Sequence, residues 1–312
     1  MGCLAGRAEN TPIEPDLDHA GEGIVVTQQH PSAAAQSAAS IPDLAAAVTA
    51  VRESNPLVQC ITNTVVQPLS ANALLAIGAS PAMINHEADA AQFTRIADGL
   101  LINFGTASSH NFLAADAAIA AARETGTPWV LDPVSYGVID YRTTRIKQAL
   151  TWQPTAIRGN ASEIAALAGT GAGARGVDST DEVEAVLEAA IQLSHALGSV
   201  VAVSGEVDAI VHAGEQVRIA RVSGGSGYMP LVVGTGCSLG GVVAAYLGAL
   251  PADPFTAVVA AHAHYAAAGT RAAGTSRGPG SFAVEFLDAL HSVTAADIAA
   301  VGVSYGTVEV TA

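Results

Sequence analysis

Apolar positions along this chain switch between two periods from about residue 41 onward. Stretches with apolar residues at helical spacing alternate with short continuous apolar runs, the first reading as helices packed on one side and the second as buried strands. Predicted helices cover about 41–54, 67–77, 87–97, 110–125, 142–151 and 161–169, and the strands between them about 57–61, 81–84, 100–104, 129–131 and 156–157. A Gly/Ala-rich loop follows at Gly169–Gly176, then a helix over Glu182–Leu197, a buried strand at Val200–Val203 and a hairpin across Asp208–Val222. Cys237–Leu247, Pro254–Ala272 and Phe282–Leu290 read as helices, while the β-branched run Val301–Val310 is too often interrupted by Gly to assign. Strands alternating with helices build parallel βα units, so the expected fold is α/β: one three-layer α/β/α domain with a mostly parallel central sheet.

Composition supports this reading and narrows the partners. Residues 1–40 are rich in Pro, Ser, Ala, Gln and acidic side chains without either period, and are expected to form a disordered extension. The 312 residues are 50% hydrophobic, enough for a large core, and only 4% aromatic, which favours closely packed Ala-rich helices over an aromatic sandwich. A net charge of −15 with no Lys/Arg cluster argues against nucleic acid. It also means that an anionic substrate must be held locally, by glycine turns, an isolated Arg and a metal ion such as Mg2+. Three scattered cysteines, Cys3, Cys60 and Cys237, make neither a disulfide framework nor a zinc site, so a reducing, cytoplasmic setting is expected. The longest apolar stretch, Val242–Gly269, is broken by Pro251, Asp253 and Pro254 and reads as two packed helices, with no membrane span.

Candidate chemistry concentrates at strand ends, where ligands of open parallel sheets gather. Gly234-Thr235-Gly236-Cys237 opens a helix, and unpaired N–H groups at such an N-terminus can close around a phosphate; alternatively, Gly234 only ends a strand and Cys237 is a small core residue. Asp132, after Val130-Leu131, and Glu163, after Arg158-Gly159-Asn160, bring two carboxylates and an Arg to one edge and could hold Mg2+. The alternative is a turn-starting Asp before Pro133 and a Glu in a helix's first turn, where negative charge is favourable anyway. Ser204-Gly205-Glu206 suits a phosphate contact or a plain turn, and Ile61-Thr62-Asn63 and Asn103-Phe104-Gly105-Thr106 suit a small polar substrate or helix caps. His262 and His264 lie two apart on a predicted helix, point to different faces, and are rejected as a metal pair.

Taken together with Ala71–Met83 and Gly278-Pro279-Gly280-Ser281-Phe282, these strings resemble the hydroxyethylthiazole kinases of thiamine biosynthesis and salvage, members of the ribokinase-like superfamily. The resemblance runs from about Ile41 to Val310, making 41–312 the expected kinase domain. It implies transfer of the ATP γ-phosphoryl group to the hydroxyl of 4-methyl-5-(2-hydroxyethyl)thiazole, with Mg2+ required. By that pattern Met83, Asn63, Gly105, Thr106 and Gly234 line the thiazole pocket, and Arg158, Asn160 and Ser204 meet ATP. Asp132 and Glu163 organise Mg2+, and Cys237, within the Gly234–Cys237 turn, sits beside the substrate hydroxyl. The family is also trimeric, with active sites between subunits.

Three positions depart from the pattern. Ser135-Tyr136 stands where the family commonly has Gly-x, Leu231-Val232-Val233 replaces Lys-Val-Thr before the glycine turn, and Gln59 replaces a His. Alternatives carried forward are a nucleotide-dependent dehydratase of hydrated nicotinamide cofactors, which normally has Asp after its Gly-Thr-Gly turn, and a catalytically silent thiazole- or nucleotide-binding homologue.

Overall fold

Runs such as Leu100-Leu101-Ile102 are apolar on both faces, and such strands are stable only when helices cover them from both sides. The computed structural model, which describes residues 43–106, 108–170 and 183–308, has that arrangement. Its strands are β1 (Leu57–Ile61), β2 (Ser80–Ala82), β3 (Gly99–Asn103), β4 (Trp129–Asp132), β5 (Ala156–Asn160), β6 (Val200–Ser204), β7 (Val207–Ala213), β8 (Val217–Ser223) and β9 (Gly302–Val308). They form one nine-stranded sheet in the order β2-β1-β3-β4-β5-β6-β7-β8-β9. Pairing is parallel from β2 through β6 and antiparallel from β6 to β9.

The helices are α1 (Leu44–Ser54), α2 (Gln67–Ile77), α3 (Glu87–Thr94), α4 (Ser109–Thr125), α5 (Asp140–Leu150), α6 (Ala161–Leu167), α7 (Leu187–Leu197), α8 (Thr235–Ala249), α9 (Pro254–Thr275), α10 (Pro279–Ser292) and α11 (Ala295–Ala300). Alternate strand residues divide between two cores. Val58, Cys60, Leu101, Val130 and Val200 pack under α1, α2, α8, α9 and α10. Ile61, Leu100, Ile102, Leu131, Ile157 and Val201 pack under α3 to α7. The three-layer α/β/α architecture follows directly from that alternation.

α8 and α9 are sunk deeply because Ala, Gly and Val let neighbouring backbones approach; α9 is buried without interruption from Phe255 to Gly269. His262 and His264 therefore lie in the interior. His264 donates from Nε2 to the Leu290 carbonyl (2.9 Å), so its Nδ1 accepts from the Tyr246 hydroxyl (2.7 Å), and burial pushes its pKa down to about 4. Among the described residues no three His, Cys, Asp or Glu side chains form a metal-binding group, and no helix is long and apolar enough to cross a membrane.

Several boundaries differ from the sequence expectation. Val301–Val310 contains the edge strand β9, whose residues pair with β8 over its whole length; only that partner makes a Gly-interrupted run extended. Leu231-Val232-Val233 is no strand, because Met229–Leu231 is a short 3-10 turn and the helix already starts at Thr235. α11 was not predicted; its Thr294–Asp297 capping box defines it. Residues 1–40, and all but the start of the Gly169–Gly176 loop, lie outside the described residues.

Candidate active site

The carboxyl ends of five adjacent parallel strands carry one continuous polar chain. Asn63, just past β1, donates from Nδ2 to Oδ1 of Asn103 at the end of β3 (3.0 Å), which also accepts from the Gly105 N–H (3.0 Å). Asn103 donates in turn from Nδ2 to Oδ2 of Asp132 at the end of β4 (2.7 Å). Arg158 of β5 places Nη1 3.9 Å from the same oxygen and donates from Nε and Nη2 to the Ser204 hydroxyl at the end of β6 (3.1 and 2.8 Å). Asn103 and Asp132 are almost wholly buried, and every contact here except the local Gly105 N–H bond joins the ends of different strands. Polar groups in such a place must be paired, and the chain pairs them mainly by tertiary contacts.

Burial pushes the Asp132 pKa up to about 7; the Glu163 charge adds to that push, while Arg158 and the Asn103 hydrogen bond oppose it. The Cys237 thiol, half-buried near Asn63, Asn103, Asp132 and Arg158, is also raised, by burial and then by the Asp132 carboxylate. A thiol raised above its ordinary value is protonated at neutral pH and is a poor base.

The glycine turn closes the site from above. Gly234 has φ 94°, and a side chain there would strike Val66 at 2.7 Å, so only glycine fits. The Thr235 hydroxyl donates back to the Met229 carbonyl (2.7 Å), which commits that side chain to shaping the turn. Among the described residues the N–H groups of Gly236 and Cys237 meet no acceptor, and no side chain caps the helix. An added Cβ on Gly236 would lie 3.3 Å from Arg158 Nη1, so the uncapped helix end and the guanidinium face the same space. Two free N–H groups and one cation at a helix N-terminus are suited to an anion with several oxygens.

The remaining sequence candidates are placed around this centre. Glu163 and Asn160 form a capping box on α6: Asn160 Oδ1 accepts from the Glu163 N–H (2.9 Å), and Glu163 Oε2 from the Asn160 N–H (3.0 Å). Glu163 Oε1 accepts from the Ser135 N–H (3.0 Å), tying α6 to the loop after β4. Thr106 accepts from the Thr64 N–H (2.8 Å) at the rim, and Met83 lies half-buried just past β2, against the helical core. Gln59 is fully buried and satisfied by Ile84, Ala90 and Thr94, so it fastens α3 and the loop after β2 to β1. Tyr136 packs into the core on the α3-to-α7 face of the sheet, and Ser135 adopts φ 61°.

For a divalent cation the donor set fits in kind. Asp132 Oδ1 makes no hydrogen bond among the described residues, and each Glu163 oxygen accepts only one. Two carboxylates with waters and phosphate oxygens completing the shell are the usual arrangement for Mg2+. Asn103, whose amide the sequence already marks at a strand end together with Gly105 and Thr106, stands at the centre of the polar chain. Its signal was a lone amide ending an otherwise apolar strand.

A model of the hydroxyethylthiazole kinase family matches residues 48–296, most of the described chain. The chain belongs to the hydroxyethylthiazole kinase family. It is similar to the hydroxyethylthiazole kinase of Corynebacterium glutamicum, 52% identical over 255 residues that cover 81% of this chain and 94% of that one. The hydroxyethylthiazole kinase of Pectobacterium atrosepticum is 47% identical and covers 88% of this chain and 99% of its own. Among solved structures, the hydroxyethylthiazole kinase protein of Pyrococcus horikoshii superposes with a TM-score of 0.76 at 32% identity, over 84% of this chain and 98% of that one. A ribokinase-like superfamily protein of Enterococcus faecalis superposes with a TM-score of 0.55 at 16% identity and shares the fold. The ribokinase-like fold and family membership expected from the sequence are thus confirmed.

Proposed function

We propose that the chain phosphorylates the primary hydroxyl of 4-methyl-5-(2-hydroxyethyl)thiazole from ATP, with the carboxyl edge of the sheet as its active site. One observation carries the placement: the uncapped N–H groups of Gly236 and Cys237 face Arg158 beside the buried Asn63–Asn103–Asp132–Arg158–Ser204 chain. Sheet order supports a separate side for each substrate. Met83, Asn63, Gly105 and Thr106 lie at the ends of β2, β1 and β3 and form the thiazole side with Gly234; Arg158, Asn160 and Ser204 lie at β5 and β6 and form the nucleotide side.

Phosphoryl transfer passes through a loose transition state and needs positioning and charge stabilisation more than covalent chemistry. Gly236 and Cys237 donate their N–H groups to the transferring phosphoryl, and Arg158 neutralises the charge that builds on its oxygens. Asn63 and Asn103 hold the acceptor end in one geometry. The protonated Cys237 thiol hydrogen-bonds the substrate hydroxyl and orients it for in-line attack. Asp132 and Glu163 would hold Mg2+, which shields the phosphate oxygens when bound. Asn160, occupied as a cap, acts by fixing Glu163.

A homotrimer with sites between subunits is part of the same reading. Val65, Leu231 and Val233 are exposed apolar side chains beside the Gly234 turn, next to Val66 and Leu69, a suitable face for a second copy. A cytoplasmic setting accords with the free thiols Cys60 and Cys237. The test incubates purified protein with ATP, Mg2+ and hydroxyethylthiazole and follows thiazole phosphate and ADP, with size measured in parallel. Equal amounts of both products are expected; binding of both substrates without product would identify a silent homologue.

A further inference from the structure

α9 touches neither proposed substrate, yet two of its buried polar side chains reach the two segments that face the nucleotide. Tyr265 donates its hydroxyl to the Thr235 carbonyl (2.8 Å) and accepts from Ser238 Oγ (2.6 Å), which itself lies 2.8 Å from the Gly234 carbonyl. These bonds pin the first turn of α8 from behind and leave the Gly236 and Cys237 N–H groups pointing out. Three residues earlier, on the same face of α9, His262 places Nδ1 2.7 Å from Asp208 Oδ2. Asp208 Oδ1 accepts from the Gly205 N–H (2.9 Å), at the start of the loop after Ser204.

His262 is wholly buried, and its Nε2 meets no partner among the described residues. An unpaired ring nitrogen in an alanine-rich layer is costly, and an apolar ring would avoid it. What the imidazole supplies there is the Nδ1–H that the Asp208 carboxylate accepts.

We infer that α9 is a positioning helix for phosphoryl transfer: Tyr265 fixes the glycine turn, and His262, through Asp208, fixes the Ser204–Gly205 loop at a set spacing from it. The inference rests on the reading that these two segments face the nucleotide. A rigid helix bridging the segments converts two separate loops into one preorganised site.

The test compares full-length variants in ATP/hydroxyethylthiazole turnover and thermal melting. Tyr265→Phe is expected to lower kcat by about 10- to 100-fold with little change in either KM. Asp208→Asn and His262→Phe are expected to raise KM for ATP about tenfold and leave KM for the alcohol within about twofold. His262→Asn, whose amide supplies a donor near the place of Nδ1–H, recovers most of that loss. The Tyr265→Phe/His262→Phe double variant loses less than the product of the single effects, because spacing once lost cannot be lost twice. Val259→Ala, buried on the same helix, lowers the melting temperature only. If Asp208→Asn and His262→Phe behave like Val259→Ala, or shift both KM values equally, the inference is wrong. Absence of turnover in the unaltered protein overturns the functional reading itself and the inference with it, which separates the two failures.

Discussion

The two halves of the sheet's carboxyl edge are built by opposite means. At the β1–β3 end, Asn63 and Asn103 come from different strand ends, are buried, and satisfy one another and Asp132. At the β5–β6 end, Asn160 and Glu163 satisfy one another within a single helical turn at the surface, and Arg158 leans on Ser204 of the next strand. The first half depends on the whole sheet; the second half is largely assembled by local geometry. Damage to the first should therefore spread to stability and to both substrates, and damage to the second should stay local.

Asp132, where the halves meet, is expected to show the largest effect. Asp132→Asn should reduce kcat by about 100-fold or more, measured at saturating substrates. The same variant checks the raised pKa without substrates. Because the folded value of about 7 lies above the ordinary 3.8, the folded state binds more protons between these limits. Wild-type stability is therefore highest with respect to this group below about pH 4 and declines as pH rises through about 7. In melts with chelator, Asp132→Asn should gain on the wild type from pH 5 to pH 8; a constant difference would show that Asp132 is an ordinary carboxylate.

Next comes Asn103→Leu, which strands the Asn63 amide, the Gly105 N–H and the Asp132 carboxylate. A loss of about 2–4 kcal/mol in denaturant unfolding is expected, together with weaker use of both substrates. Its counterpart on the other half, Asn160→Ala, removes a helix cap and should cost about 1 kcal/mol and raise KM for ATP by a few fold, leaving KM for the alcohol alone. Equal losses from the two substitutions would erase the contrast between tertiary and local assembly. The smallest effect is expected at Cys237. A protonated thiol is a positioning group, so Cys237→Ala should keep measurable turnover and Cys237→Asp should fold and turn over as fast or faster. Complete inactivity of folded Cys237→Ala would make the thiol indispensable.

How much could be read in advance follows the same division. The strand–helix order, the helix-opening turn Gly234-Thr235-Gly236-Cys237 and the cap at Asn160 are encoded within a few residues, because period, glycine and capping act over one or two turns. β9 could not be assigned, since its extended form depends on β8, far away in sequence, with pairs running from Ser223 with Gly302 to Val217 with Val308. The apolar run Leu231-Val232-Val233 left open a strand ending at Gly234; it instead leads into the turn with Leu231 and Val233 exposed, because Met229–Leu231 forms a 3-10 turn. The Asn103 amide is visible at a strand end, but its part as a hub is not, because Asn63 and Asp132 belong to other strand ends.

By itself the sequence determined the layered α/β class, the family, and which residue types stand at strand ends, since these depend on local pattern and on matching strings. Tertiary structure alone decided how those residues work together. It made Asp132 a buried carboxyl with a raised pKa and Cys237 a protonated thiol, and it set His262 and Tyr265 against the backs of two loops. Burial and charge proximity are properties of the packed sheet, and no stretch of chain carries them before it is packed.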